Sequence, residues 1–174
     1  MLVRHVVFAV CIFASGCSAA TGTPDNESTD SQSAAAVGQS FVDARSYFTE
    51  PDAIDSWYGL TSDLKTQFDA ICGDTFCEGD YSNYESLGVR CSVEETSGKI
   101  GRCVWTFAAS TEEIRADNGA LKIHGKIWKC PLPIPRQLAV GELVRVLSSG
   151  DAGALYTPVP GTNRSLYDGL VECL

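Results

Sequence analysis

The chain is short of positive charge, of histidine and of metal-binding spacings, and each shortage removes a class of function. Lys and Arg number 13 against 22 Asp and Glu, for a formal net charge of −9. That sign is repelled by nucleic acid and by anionic lipid headgroups, so nucleic-acid binding and electrostatic docking to a membrane are set aside. There are two His, at positions 5 and 124. No Cys-x-x-Cys pair is present, which argues against a structural zinc site. There is no Gly-x-Ser-x-Gly element, and Gly119, Gly150 and Gly153 do not form a phosphate-cradling loop. Nor is there an apolar run approaching the ~20 residues of a membrane-spanning helix.

What is present begins with the N-terminus. Arg4 and His5 form a short polar start, followed by nine apolar residues from Val6 to Ala14. This has the layout of an export signal rather than a membrane span. Small residues follow, Ala14-Ser15-Gly16, and then Cys17. The run Ala14-Ser15-Gly16-Cys17 resembles the lipobox of bacterial lipoproteins. The resemblance implies removal of residues 1–16 as a signal peptide, acylation of Cys17 (diacylglyceryl, palmitate) and attachment to a lipid bilayer through that residue. Ser18, rather than Asp, after the Cys resembles the outer-membrane sorting pattern, with the periplasmic or surface face left open. An ordinary secretory signal cut near Ala19-Ala20 is the other reading. Loss of residues 1–16 removes Arg4 and no acid, leaving 12 basic against 22 acidic residues.

Cysteine usage fits export. Eight Cys are present, at positions 11, 17, 72, 77, 91, 103, 130 and 173. Cys11 leaves with the signal and Cys17 is consumed by lipid. The six that remain imply a disulfide framework, with fifteen possible connectivities.

Residues 18–38 are small and polar, with almost nothing large and apolar to bury. They are expected to form, with Cys17, a flexible tether over 17–38, reaching about 25 Å on average. A globular domain is expected over 39–174. Ser40 or Asp43 would cap a short helix ended by Pro51, and Thr61-Ser62-Asp63 would cap a second, with Leu64, Phe68, Ile71 and Cys72 at helical spacing.

Alternation then changes to a period of two. Val89, Cys91 and Val93 alternate with polar residues, as do Cys103, Trp105 and Phe107 with Arg102, Val104 and Thr106. Thr96-Ser97-Gly98 would form a three-residue hairpin loop with Gly98 in the left-handed position. That register sets 95 across from 99, 93 from 101, Cys91 from Cys103 and Val89 from Trp105, so a Cys91–Cys103 disulfide is expected. A third strand is expected over about 121–130, with Leu121, Ile123 and Ile127 on one face and a bulge at Gly125. Helices are expected over 136–149, and after an Asn163 cap with Leu166, Leu170 and Cys173 on one stripe. Cys72 and Cys77 flank a four-residue loop and are expected to pair. Cys130 then pairs with Cys173, unless either is exchanged with Cys72 or Cys77.

The fold class is α+β: a small antiparallel sheet of three or four strands with helices packed on it and three disulfides. Cystatin-like and NTF2-like folds share that layout by analogy alone. The runs CGDTFCEGDYSN (72–83) and SLYDGLVECL (165–174) look like those of uncharacterised cysteine-containing lipoproteins of Gram-negative bacteria, a resemblance that implies no activity.

Candidate chemistry is thin. Asp69, Asp74, Glu78, Asp80 and Asn83 offer hard oxygens to Ca²⁺, though their spacing is not that of an EF-hand. A disulfide-closed turn with Asx side chains capping backbone amides is the alternative. His124 is the one His left after signal removal, with no nucleophile motif near it. Trp105 is assigned to the core, and Trp57 and Trp128 are the candidates for an exposed contact surface. The reading is a membrane-tethered envelope lipoprotein, leaning non-enzymatic, that binds a protein or ligand partner of unknown identity or serves a structural role. An envelope hydrolase and a Ca²⁺ module at 69–83 are the alternatives.

Overall fold

A computed structural model describes residues 39–75, 81 and 83–174. The expected signal peptide, Cys17 and the tether therefore lie outside the described residues. So do Cys77, and with it the Cys72–Cys77 pairing.

Strands β1 (Phe41–Asp43), β2 (Glu85–Glu94), β3 (Ile100–Ile114) and β4 (Leu121–Pro131) form one antiparallel sheet in the order β1-β2-β3-β4. Helices α1 (Ala44–Tyr47), α2 (Pro51–Thr75), α3 (Val140–Ser149) and α4 (Leu166–Val171) complete the regular structure. The class is α+β, with four strands.

The 25-residue helix α2 corrects two expectations. Pro51 starts this helix rather than stopping one. Its fixed φ suits the first helical position, where a missing N–H costs nothing. Thr61-Ser62-Asp63 lies inside it, not at a cap. Trp57, Leu60, Leu64 and Phe68 form one buried stripe along it, at the spacing of one helix face. That stripe meets the inner face of the sheet. The Phe68 ring lies 4.6 Å from Phe107 and 5.8 Å from Trp105, centroid to centroid. Trp105 is fully buried and donates its indole N–H to the Ser86 hydroxyl at 2.8 Å.

The β2–β3 hairpin keeps the expected centre and changes at its end. Cys91 faces Cys103 and Val89 faces Trp105, and the two sulfurs are joined. At the turn, the Gly98 N–H bonds the Glu94 carbonyl at 2.9 Å, and the Glu94 N–H bonds the Lys99 carbonyl at 2.8 Å. The loop is therefore 95–98, one residue longer than expected, and Val93 faces Ile100 instead of residue 101. A bulge at Gly101 absorbs the offset and restores the register at Ser92 and Arg102. Glycine is required at both places. Gly98 has φ +68° beside the Tyr47 hydroxyl, and a Cβ on Gly101 would lie 2.9 Å from both Phe41 and Ser92.

Strand β4 pairs with β3 without a register shift from Leu121–Ile114 to Pro131–Val104, so the bulge expected at Gly125 is absent. Beyond β4, Leu132 and Gln137–Val140 hydrogen-bond along the start of β3 and lead into α3. Helix α3 begins at Val140, later than expected, because Pro135 and Arg136–Gln137 form a turn ahead of it. It buries Val140, Leu143, Val144 and Leu147. Cys130 is bonded to Cys173, which fastens the residues after α4 to the inner end of β4.

Ser165, not Asn163, caps α4. Its hydroxyl accepts from the Asp168 N–H, and the Asp168 carboxylate accepts from the Ser165 N–H at 2.7 Å. These bonds to Ser165, with the Arg164 charge nearby, hold the Asp168 carboxyl below its usual value of 3.8. A carboxyl so lowered stabilises the fold above its unfolded pKa, and the benefit is lost as pH falls through the folded one. The stability advantage of the wild type over Asp168→Asn should therefore be full above pH 3.8 and shrink below it, as read from thermal melts across an acid pH series.

Candidate functional site

All the helices that reach the sheet pack on the face carrying Val89, Cys91, Cys103, Trp105, Phe107, Trp128 and Cys130. The opposite face is left open by the described residues. On β3 it carries the even positions from Val104 to Ile114, and on β4 the odd positions from Leu121 to Lys129. Strand β2 ends its pairing at Glu85–Ala108. Beyond that row β3 and β4 continue as a two-stranded arm with its turn at Arg115–Ala120.

From its base at Ala108–Ile127, the open face of this arm carries large aliphatic side chains around Ser110 and Glu112. Ile114 is 74% exposed, Ile127 63%, Ile123 62% and Leu121 59%. Ile114 faces Leu121 across the strands, Ala108 faces Ile127, and Glu112 faces Ile123. The arm's other face is charged, with Glu113 opposite Lys122, Thr111 opposite His124 and Ala109 opposite Lys126. The arm tip is polar and closed by an Arg115–Asp117 ion pair at 2.7 Å.

Toward β1 the same open face carries charges of both signs. Phe41, Asp43, Arg90, Ser92, Arg102 and Val104 line a shallow concavity of about 440 Å³. Asp43 pairs with Arg90 and also caps α1 by accepting from the Arg45 N–H. The Ser92 hydroxyl bonds the backbone of Arg102 at 3.0 and 3.3 Å, holding that strand position while the arginine side chain faces solvent.

The large apolar side chains on this face are not part of the fold's core. Replacing Ile123 and Ile127 by Thr, which preserves β-branching, should change unfolding free energy by no more than about 0.5 kcal/mol each. The same pair should markedly reduce binding of a hydrophobic dye. Urea unfolding and dye titration on the same samples check both halves.

The sequence-derived candidates fare unevenly. Trp57 and Trp128 were expected to be exposed contacts; they are 1% and 7% exposed. Trp57 belongs to the sheet-facing stripe of α2 and stacks near Phe48 at 6.0 Å. Trp128 points to the inner face of β4, where Tyr81 and Tyr84 pack on it at 5.4 and 5.0 Å. The Lys126 ammonium lies 4.4 Å above its ring. Leu121, Ile123 and Ile127 do share a face, but it is the bare one.

Of the calcium candidates, Asp69 pairs with Lys65 at 3.2 Å. Lys65 also donates to Glu85, and that bond, with help from Asp69, raises its pKa. Asn83 is used internally: its amide donates to the Ser110 hydroxyl at 2.7 Å and accepts from the Ser110 N–H at 2.6 Å. The side chains of Asp74, Glu78 and Asp80 lie outside the described residues. Among the described residues, no group of three or more His, Cys, Asp and Glu could hold a metal ion. His124 stands exposed on the arm, with no carboxylate in ion-pairing distance among them. No described helix is long and apolar enough to cross a membrane.

No family model, no curated protein and no solved structure matches the chain. The cystatin-like and NTF2-like analogies therefore gain no support, and function has to be argued from the open face.

Proposed function

We propose that the protein is an exported envelope lipoprotein, anchored by acylated Cys17 and the tether that follows, whose folded domain binds a partner on its open sheet face. The observation that carries the binding reading is the arm. Four large aliphatic side chains more than half exposed, in one row on one face, are an unusual outlay for a surface with no partner. Two disulfides support an oxidising compartment, as export requires. The Ala14-Ser15-Gly16-Cys17 resemblance supports the anchor.

Mass spectrometry of the membrane-extracted protein tests the anchor. The expected first residue is Cys17 with a diacylglyceryl mass, and Cys17→Ala should move the protein to the soluble fraction. An unmodified N-terminus at another residue would contradict it. Hydroxyl-radical footprinting of the arm, in native envelopes and in purified protein, tests binding separately from anchoring.

A further inference from the structure

We propose that the outer edge of β4 accepts an extended segment of another protein, alternately acidic and apolar, as a fifth strand of the sheet. This rests on the binding reading above and names the partner's chemistry.

The backbone supplies the first argument. The Arg115 N–H bonds the Ala120 carbonyl, and the Leu132 N–H bonds the Cys103 carbonyl. Positions 120 and 132 are both even, and the pairing between them has no shift, so the even residues of β4 turn their amides toward β3. Leu121, Ile123, Gly125, Ile127 and Lys129 turn theirs outward. Strand β4 is the last in the sheet, and none of these five N–H groups bonds a described residue. A row of donors and acceptors that no described residue meets, on one long, regular strand, is a template for an added strand.

Charge supplies the second. Strand β4 carries Lys122, Lys126 and Lys129 and no acid, in a chain of net charge −9. Lys122 and Lys126 lie on the face opposite Leu121, Ile123 and Ile127, and Lys129 lies at the end of the aliphatic face. An incoming strand with acids on one side and aliphatic residues on the other would meet lysines with the first and the bare apolar row with the second. Two copies of β4 pairing edge to edge would instead bring their lysine rows onto one face, like charge against like. A bilayer would cover the isoleucines but leave the edge amides unmet, and it would bury Glu112, which sits within the apolar row across from Ile123.

The test uses the oxidised mature protein and a blocked peptide of alternating Glu and Val. Amide hydrogen exchange is read by NMR. The Glu–Val peptide should slow exchange at 121, 123, 125, 127 and 129, and leave the even positions as they were. A Lys–Val peptide, and a Glu–Val peptide N-methylated at alternate residues, should not. Lys122→Glu with Lys126→Glu, both at exposed positions, should weaken the Glu–Val peptide about tenfold and favour the Lys–Val one. The proposal is overturned by no slowing with Glu–Val, or by equal slowing with Lys–Val. It is equally overturned by slowing that grows with protein concentration alone, or that appears only with phosphatidylglycerol vesicles. Failure here, with the arm still protected in native envelopes, would remove strand addition and leave the binding reading in place.

Discussion

Replacing Trp105 by Ala is expected to lower the free energy of unfolding by about 4 kcal/mol, the range for removing a large aromatic from a close-packed core. The ring has no exposed surface and sits between Phe68, at 5.8 Å, and Phe107, at 5.1 Å. It joins the long helix to the middle of the sheet. Truncation opens a cavity at that junction and also removes the donor to the Ser86 hydroxyl. Ser86 is itself buried, so its oxygen would be left without that partner. Trp105→Phe should cost less, since it loses the same hydrogen bond but keeps much of the volume. With a typical total stability of about 5–15 kcal/mol, a loss of that size removes from about a quarter to most of it. Denaturant melts of the two variants, both with disulfides intact, give the comparison. Equal losses would mean that the hydrogen bond, not the packing, carries the effect.

Removing the Cys130–Cys173 bond should cost about as much by a different route. The bond closes a sequence separation of 43 residues, for which the chain-entropy model gives about 4 kcal/mol. The Cys91–Cys103 bond spans 12 residues between strands already paired on both sides, and the same model gives about 3 kcal/mol. The Cys130→Ala, Cys173→Ala pair should therefore be the more destabilised of the two double variants. It should also loosen α4 and the preceding segment, whose Leu155, Val159, Leu166 and Leu170 are buried in the same core. Hydrogen exchange should show protection lost first in α4 and retained in the β2–β3 hairpin. Uniform loss across the domain would contradict the local role assigned to this bond.

The hairpin was legible in the sequence because three local signals agreed: strict alternation, a pair of cysteines on the same face and a glycine suited to a left-handed turn. Its end was misread by one residue. Loops of three and of four residues can both place Gly98 with positive φ, and the bulge that distinguishes them depends on Phe41 lying against Gly101. That contact is made by β1, a three-residue strand with too little sequence to show a period. The first part of helix α2, from Pro51 to Leu60, is not legible as helix, because proline and a Thr-Ser-Asp run each have a boundary reading. Sheet packing decides otherwise, since a single stripe from Trp57 to Phe68 is buried only if the helix is continuous.

The candidate site was half legible. Period two put Leu121, Ile123 and Ile127 on one side of β4, but alternation does not say which side faces the core. Trp128 and Cys130 decide it. The indole has Phe107 and two tyrosines to pack on, and the sulfur has Cys173. The row of smaller aliphatics is turned outward, and no described helix is placed to cover it. The same competition explains why the tryptophans picked out as surface residues are buried: each lies on a stripe whose neighbours are already core.

Whether the open face is covered where the protein works is the central question, and footprinting of native envelopes against purified protein answers it most directly. The account predicts strong oxidation of Ile114, Leu121, Ile123 and Ile127 in the purified protein and a clear drop in envelopes. Exposed Tyr58 and Val171, away from this face, should change little. Equal oxidation of the four aliphatics in both samples would contradict it.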